Sequence, residues 1–141
     1  MKQFSLCFDK VKKDCLKFIK SQETKADKFK NKERMIKTFL IPLCFWINKK
    51  ADKKKPYFVG LAGGQGTGKT TTSSLIKIIL SKYFKLNVFR ISIDDFYKTR
   101  KDRIKLSKSI HPLLKTRGVP GTHDINLMVN FFKNIKKIKF K

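Results

Sequence analysis

The chain has 141 residues, 40% of them hydrophobic, and its 35 Lys+Arg against 10 Asp+Glu give a formal net charge of +25. That length suits one domain able to bury about two-thirds of its unfolded surface, and the hydrophobic fraction is that of a globular protein. The charge invites a nucleic-acid reading, but only Arg34, Arg90, Arg100, Arg103 and Arg117 are arginine, the residue suited to bidentate recognition of phosphate and guanine. The lysines are spread along the chain, so no specific nucleic-acid partner is expected, only adhesion at low salt.

Residues 1–20 place Phe4, Phe8, Val11, Cys15, Phe18 and Ile19 at three- and four-residue intervals, which predicts an amphipathic helix. They contain no uninterrupted apolar run of the signal-peptide kind. Residues 21–32 are polar, a loop or a solvated helix start. Residues 33–50 are helical in pattern with Pro42 inside, where proline should kink or divide the helix. The most apolar stretch, Phe39–Ile47, has nine residues and is too short to span a bilayer. Cys7, Cys15 and Cys44 are odd in number and lack metal-type spacing, so they read as small apolar residues in a reducing compartment. A cytoplasmic protein without a membrane partner is expected.

From Pro56 the pattern changes. Tyr57–Ala62 is a short apolar run read as a strand, and it feeds into Gly63-Gly64-Gln65-Gly66-Thr67-Gly68-Lys69-Thr70. That is G-x-x-x-x-G-K-[ST], the phosphate-binding P-loop. Leu75, Ile79 and Tyr83 then recur at helical spacing. Glycines let backbone N–H groups curl round a polyphosphate, and the following helix N-terminus adds partial positive charge. In this reading Gly63–Thr71 cradle ATP, Lys69 reaches the β- and γ-phosphates, and the Thr70 hydroxyl holds Mg²⁺. The bland alternative is a glycine-rich turn without a ligand.

Asn87–Ile93 reads as a second strand, completing a βαβ unit. The fold expected is therefore α/β, a P-loop NTPase fold with a parallel sheet flanked by helices and a helical N-terminal segment before it. Residues 1–55 would pack on the core, and residues 56–141 would form the nucleotide-binding domain. Asp94 and Asp95 follow the second strand, where a carboxylate can hold Mg²⁺ or take a proton from an attacking hydroxyl. Either can instead cap the next helix, Asp95 the more readily. Only 24 positions separate Thr70 from Asp94, a spacing that favours a small-molecule kinase over a nucleic-acid-stimulated P-loop ATPase. Residues 98–109 are polar and read as helical or irregular, residues 111–124 are turn-rich, and Leu127, Phe131 and Ile135 recur at helical spacing.

GLAGGQGTGKTTTSSLI, SIDDFYKTRKDR and HPLLKTRGVPGTHDINL together resemble the glycerate 3-kinase-type branch of the phosphoribulokinase, uridine kinase and pantothenate kinase superfamily. The resemblance covers roughly residues 35–135. It implies an ATP-dependent kinase acting on a hydroxyl of a small metabolite, D-glycerate first, with uridine or pantothenate as alternatives. It implies Lys69 and Thr70 as the loop lysine and threonine, and Asp94 as general base. Asp95, Tyr97, Arg117, His123 and Asp124 become acceptor-site candidates, against the alternative of an ordinary Gly-Pro turn and helix cap. Relatives are longer, and the closing IKKIKF reads like the start of another strand. The reading frame is therefore expected to extend past Lys141, and the 141 residues alone to be poorly soluble or loosely packed.

Overall fold

The computed structural model describes residues 2–26, 28–52 and 54–137. The chain divides into two compact units, Met1–Asp52 with Tyr57–Arg90, and Lys53–Pro56 with Ile91–Lys141.

The first unit is helical. α1 (Lys2–Gln22) buries Cys7, Phe8, Val11, Cys15 and Ile19, one stripe at three- and four-residue spacing. Phe4, expected on that stripe, is 38% exposed and instead meets Phe45 with ring centroids 4.7 Å apart. α2 (Lys32–Met35) runs into a widened π turn at Ile36–Leu40 and then α3 (Ile41–Lys50). Pro42 lies in the first turn of α3, which continues the helical turns before it, so the proline removes a backbone donor from within a helical run. The N–H of Ile41 reaches back five residues to the Ile36 carbonyl. The helical run thus continues through the proline, and the wide turn before it absorbs the lost bond instead of ending the helix.

α4 (Lys69–Lys82) buries Ser74, Leu75, Ile79 and Leu80. Those apolar side chains join α1 and α3 in one core with Ile36, Leu40, Ile41, Cys44 and Ile47. Each fully buried Leu or Ile contributes roughly 1.5–3 kcal/mol relative to exposure. An aromatic group closes one end: Phe45 lies 4.8 Å from Phe84 and 5.7 Å from Tyr83 between ring centroids. At the surface Lys12 pairs with Glu33 at 2.8 Å and Lys82 with Asp14 at 3.3 Å, pairs of at most about 1 kcal/mol each.

The second unit is built on turns. Ile93–Phe96 is a single 3₁₀ turn, and α5 (Arg100–Ser109) follows, capped by the Thr99 hydroxyl, which accepts from the Asp102 N–H at 3.2 Å. A second 3₁₀ turn spans Pro112–Lys115, and α6 is Ile125–Lys137. Arg103 is 8% exposed; its guanidinium donates to the Lys98 carbonyl at 3.2 Å and the Lys115 carbonyl at 2.6 Å. Phe96 packs its ring against Phe131, centroids 5.4 Å apart.

The expected parallel sheet is not formed. Among the described residues there is no strand, and the extended pairing consists of an isolated antiparallel bridge between Tyr97 and His123. Tyr57–Ala62 and Asn87–Ser92 are irregular, with Val59 52% and Phe89 72% exposed. The apolar, β-branched character of these runs led to the strand reading, but a strand exists only through a laddered neighbour, which composition does not report. Without the strands the βαβ unit falls as well. Of the closing IKKIKF, residues 135–137 are helical and 138–140 lie outside the described residues.

The three cysteines are buried among apolar side chains, and burial pushes the Cys7 thiol up to about 11 and those of Cys15 and Cys44 up to about 12. Because burial disfavours the thiolate, labelling by a disulfide reagent at pH 8 should be slow in the native chain and complete within seconds to minutes in denaturant. Rapid native labelling would show that the core opens freely. Ile79→Ala, at a fully buried position, should lower the unfolding free energy by about 3 kcal/mol in urea titration.

Candidate functional site

The glycine loop and its helix lie within the first unit. Gly66 and Gly68 have φ of 77° and 75°, left-handed conformations that a Cβ would oppose. They turn the chain so that Gly68 forms the N-cap of α4. A Cβ at Gly63 would lie 2.9 Å from the Thr67 hydroxyl oxygen, so a side chain there would push Thr67 out of its present place. The Thr67 hydroxyl donates to the Gly64 carbonyl at 2.9 Å, which closes the loop on itself.

Lys69 is the first residue of α4, and a cation there opposes the helix dipole. Its ammonium folds back and donates to the carbonyls of Gly63 at 2.8 Å and Gly64 at 2.5 Å. The charge is thus held over the loop. The first turn of α4 contains no acidic residue and its N-cap makes no side-chain hydrogen bond, so no carboxylate of the helix competes for its N–H donors. Gly63–Thr67 and Thr70 are exposed, and Gly68, Lys69 and Thr71 are half-buried. A lysine, an uncapped helix N-terminus, a hydroxyl and a glycine cradle form a donor set chemically suited to an anion such as a phosphate group, and the exposed Thr70 hydroxyl is an oxygen of the kind a hard cation takes. Among the described residues no cluster of three His, Cys, Asp or Glu could hold a metal by itself.

Below the loop the carbonyl of Thr70 accepts from the Ser73 hydroxyl at 3.0 Å and the Ser74 hydroxyl at 2.8 Å. Ser74 is 5% exposed and its oxygen accepts in turn from the Arg90 guanidinium. Neither Ser74 nor Arg90 was singled out by the sequence. A serine four residues beyond the loop threonine was the available signal for one, and Arg90 had none.

The other candidates lie in the second unit. Ser92, Asp94 and Asp95 form a capping box around the 3₁₀ turn: the Ser92 hydroxyl accepts from the Asp94 N–H at 3.2 Å, and the Asp95 carboxylate accepts from the Ser92 N–H at 2.9 Å. Asp94 is exposed in that turn. Tyr97 stacks on His123 with ring centroids 4.0 Å apart, and Arg117 lies over the Tyr97 ring at 5.4 Å. His123 Nε2 is buried without a hydrogen-bond partner. The Asp124 N–H donates to the Phe96 carbonyl at 2.7 Å, and its carboxylate accepts from the Leu127 N–H at 2.9 Å, capping α6. Tyr97, Arg117 and His123 are therefore brought together, while Asp95 and Asp124 serve as caps. Gly118 and Gly121, both at φ 88°, shape the turn between Arg117 and His123.

With that geometry in place, the chain can be compared with known proteins. It is 36% identical over 78 residues to "Uncharacterized kinase mug58" of Schizosaccharomyces pombe, covering 54% of this chain and 28% of that protein. It is 38% identical over 86 residues to "Probable ATP-dependent kinase TDA10" of Saccharomyces cerevisiae, covering 58% and 30%. It is 32% identical over 85 residues to "Pantothenate kinase" of Streptococcus gordonii, covering 60% and 26%. The chain thus spans less than a third of the length of these relatives, all three named as kinases, and the similarity supports a relation to the P-loop kinase superfamily. No protein-family model matches the chain, and no solved structure matches it. Among the described residues no helix is long and apolar enough to cross a membrane.

The caps give a local prediction. Asp124→Ala should cost about 1 kcal/mol by removing the bond to the α6 N-terminus, measured as a lower urea midpoint, and Asp124→Asn should recover most of it. A full loss with asparagine would mean that charge, not capping, is what Asp124 supplies.

Proposed function

We propose that the chain carries the nucleotide-binding part of an ATP-dependent small-molecule kinase, which moves the γ-phosphate of MgATP to a hydroxyl of a small metabolite, D-glycerate first. The observation that carries this reading is the glycine loop itself, with Gly66 and Gly68 left-handed, Lys69 folded over the loop carbonyls and the first turn of α4 free of acidic residues. The kinase names of the relatives support the same class.

In this reading residues 56–141 are the nucleotide-binding region, and residues 1–55 are a helical segment that packs on α4. The protein works in the cytoplasm on a soluble hydroxyl substrate, with no specific nucleic-acid partner. Lys69 exchanges its carbonyl partners for the β- and γ-phosphate oxygens, and the backbone N–H groups of Gly63–Thr71 hold the rest of the chain of phosphates. Thr70 would offer a hydroxyl oxygen and Asp94 a carboxylate to the Mg²⁺ that accompanies ATP, and that ion would supply neutralisation of the phosphate charge. Asp94 accepts the proton of the acceptor hydroxyl late in a loose transition state. Arg117, His123 and Tyr97 belong to the acceptor side, where Arg117 supplies a cation suited to a carboxylate, whereas Asp95 and Asp124 would have to release their caps to join them. A pantothenate acceptor is the second reading, favoured by the pantothenate kinase among the relatives.

Lys69→Ala is expected to weaken binding of a fluorescent ATP analogue by tenfold or more, a loss of about 1.4 kcal/mol at least. Asp94→Asn should spare that binding and cut turnover by about two to four orders of magnitude. Labelled ATP offered with glycerate, pantothenate, uridine or ribulose phosphate identifies the acceptor. Full turnover in Asp94→Asn would remove the base assignment, and unchanged binding in Lys69→Ala would remove the nucleotide site.

A further inference from the structure

We propose that Arg90 is a positioning residue for the nucleotide loop, acting through Ser74 on the first turn of α4; the proposal rests on the reading of Gly63–Thr71 as a triphosphate site. The first turn of α4 is polar throughout, Lys69-Thr70-Thr71-Thr72. Its Thr72 N–H closes the turn on the Gly68 carbonyl at 2.9 Å, and no apolar side chain of that turn enters the core. A turn of this composition, with a lysine against the helix dipole, frays unless something else holds it.

Ser74 supplies the hold. Its hydroxyl donates back to the Thr70 carbonyl at 2.8 Å, a local bond that taken alone competes with helix geometry. The Arg90 guanidinium donates to the same oxygen, which polarises the hydroxyl and turns a weak back-bond into a charge-assisted chain, Arg90 to Ser74 to Thr70. Ser74 is 5% exposed, so water does not readily replace either bond. Arg90 itself is exposed, and burial does not explain its placement. The chain of bonds ends on the carbonyl of the residue whose hydroxyl would meet Mg²⁺, and one residue from Lys69. An error of orientation there is transmitted directly to both groups.

The test uses the 141-residue chain with magnesium and trinitrophenyl-ATP as probe. Arg90→Ala should raise the Kd about three- to tenfold, the scale of one lost charge-assisted hydrogen bond expressed in binding. Ser74→Ala should do the same, the double variant should be no worse than the worse single one, and Arg90→Lys should recover part of the loss. Amide exchange at Thr72 should quicken by a similar factor in Arg90→Ala while exchange at Ile79 and Leu80 stays unchanged. A merely structural arginine would instead lower the unfolding midpoint and speed exchange along all of α4, with Kd unmoved in the folded fraction. If the unsubstituted chain binds the probe and Arg90→Ala binds it equally well, the tether is overturned and the nucleotide site stands. If the unsubstituted chain does not bind, the nucleotide reading falls and takes the proposal with it. Should Arg90→Ala unfold, Arg90→Gln and Ser74→Ala read the same bond.

Discussion

The burial of the second half of α4 is the constraint on which the first unit depends. Leu75, Ile79 and Leu80 lock that half against α1 and α3, and their combined burial, several kcal/mol by area, fixes the axis of the helix. Its opening turn is then free of any packing duty and is polar, without an acidic cap. Reversing the arrangement would be worse on both counts. An apolar first turn would bury the N–H donors, and a polar second half would leave the loop on a helix with no anchor. The aromatic group of Phe45, Tyr83 and Phe84 secures the far end of α4, so the helix is held away from the loop and ordered toward it.

Charge acts on this frame in two ranges. At short range the ammonium of Lys69 is tied to two carbonyls and the Arg90 guanidinium to a hydroxyl, so both cations occupy defined positions. At long range the net charge of +25 raises the local concentration of any anion, polyphosphates included, without choosing among them. Salt screens the second effect over about 8–10 Å and touches the first much less. The general charge therefore cannot choose among anions, and any discrimination has to come from the defined positions of the loop and its two tied cations. Of the few acids, Asp14, Glu23 and Glu33 are engaged with lysines.

Helices and loop were legible because their signals are local. The stripe Phe8, Val11, Cys15, Ile19 follows from a period of 3.6, a local disturbance of the helix at Pro42 from ring geometry, and the loop from a motif whose glycines are required by positive φ at Gly66 and Gly68. The sheet was misread because pairing is a property of two segments, and Tyr57–Ala62 and Asn87–Ser92 supply only composition. The bond from Arg90 to Ser74 was invisible for a related reason: it joins residues 16 apart, and no spacing rule predicts such a meeting. The stack of Tyr97, His123 and Arg117 was approached by resemblance, not by pattern, since nothing periodic brings those positions together.

The turn after Ser92 separates two neighbouring carboxylates by stereochemistry alone. In a capping box the third residue of the turn folds back to the cap N–H, and Asp95 does so at 2.9 Å. The second residue gives the turn its N–H, as Asp94 does to the Ser92 hydroxyl, and its side chain has no part in the motif. The spacing S-x-x-D, Ser92 to Asp95, was present in the sequence and predicts this division of labour. A carboxylate committed to the cap would have to give up that bond, worth about 1 kcal/mol, before taking a metal ion or a proton. Asp94 carries no such cost. Of two adjacent aspartates, local order therefore falls to the second and the first keeps its carboxylate outside the cap, and Ser92 determines which is which.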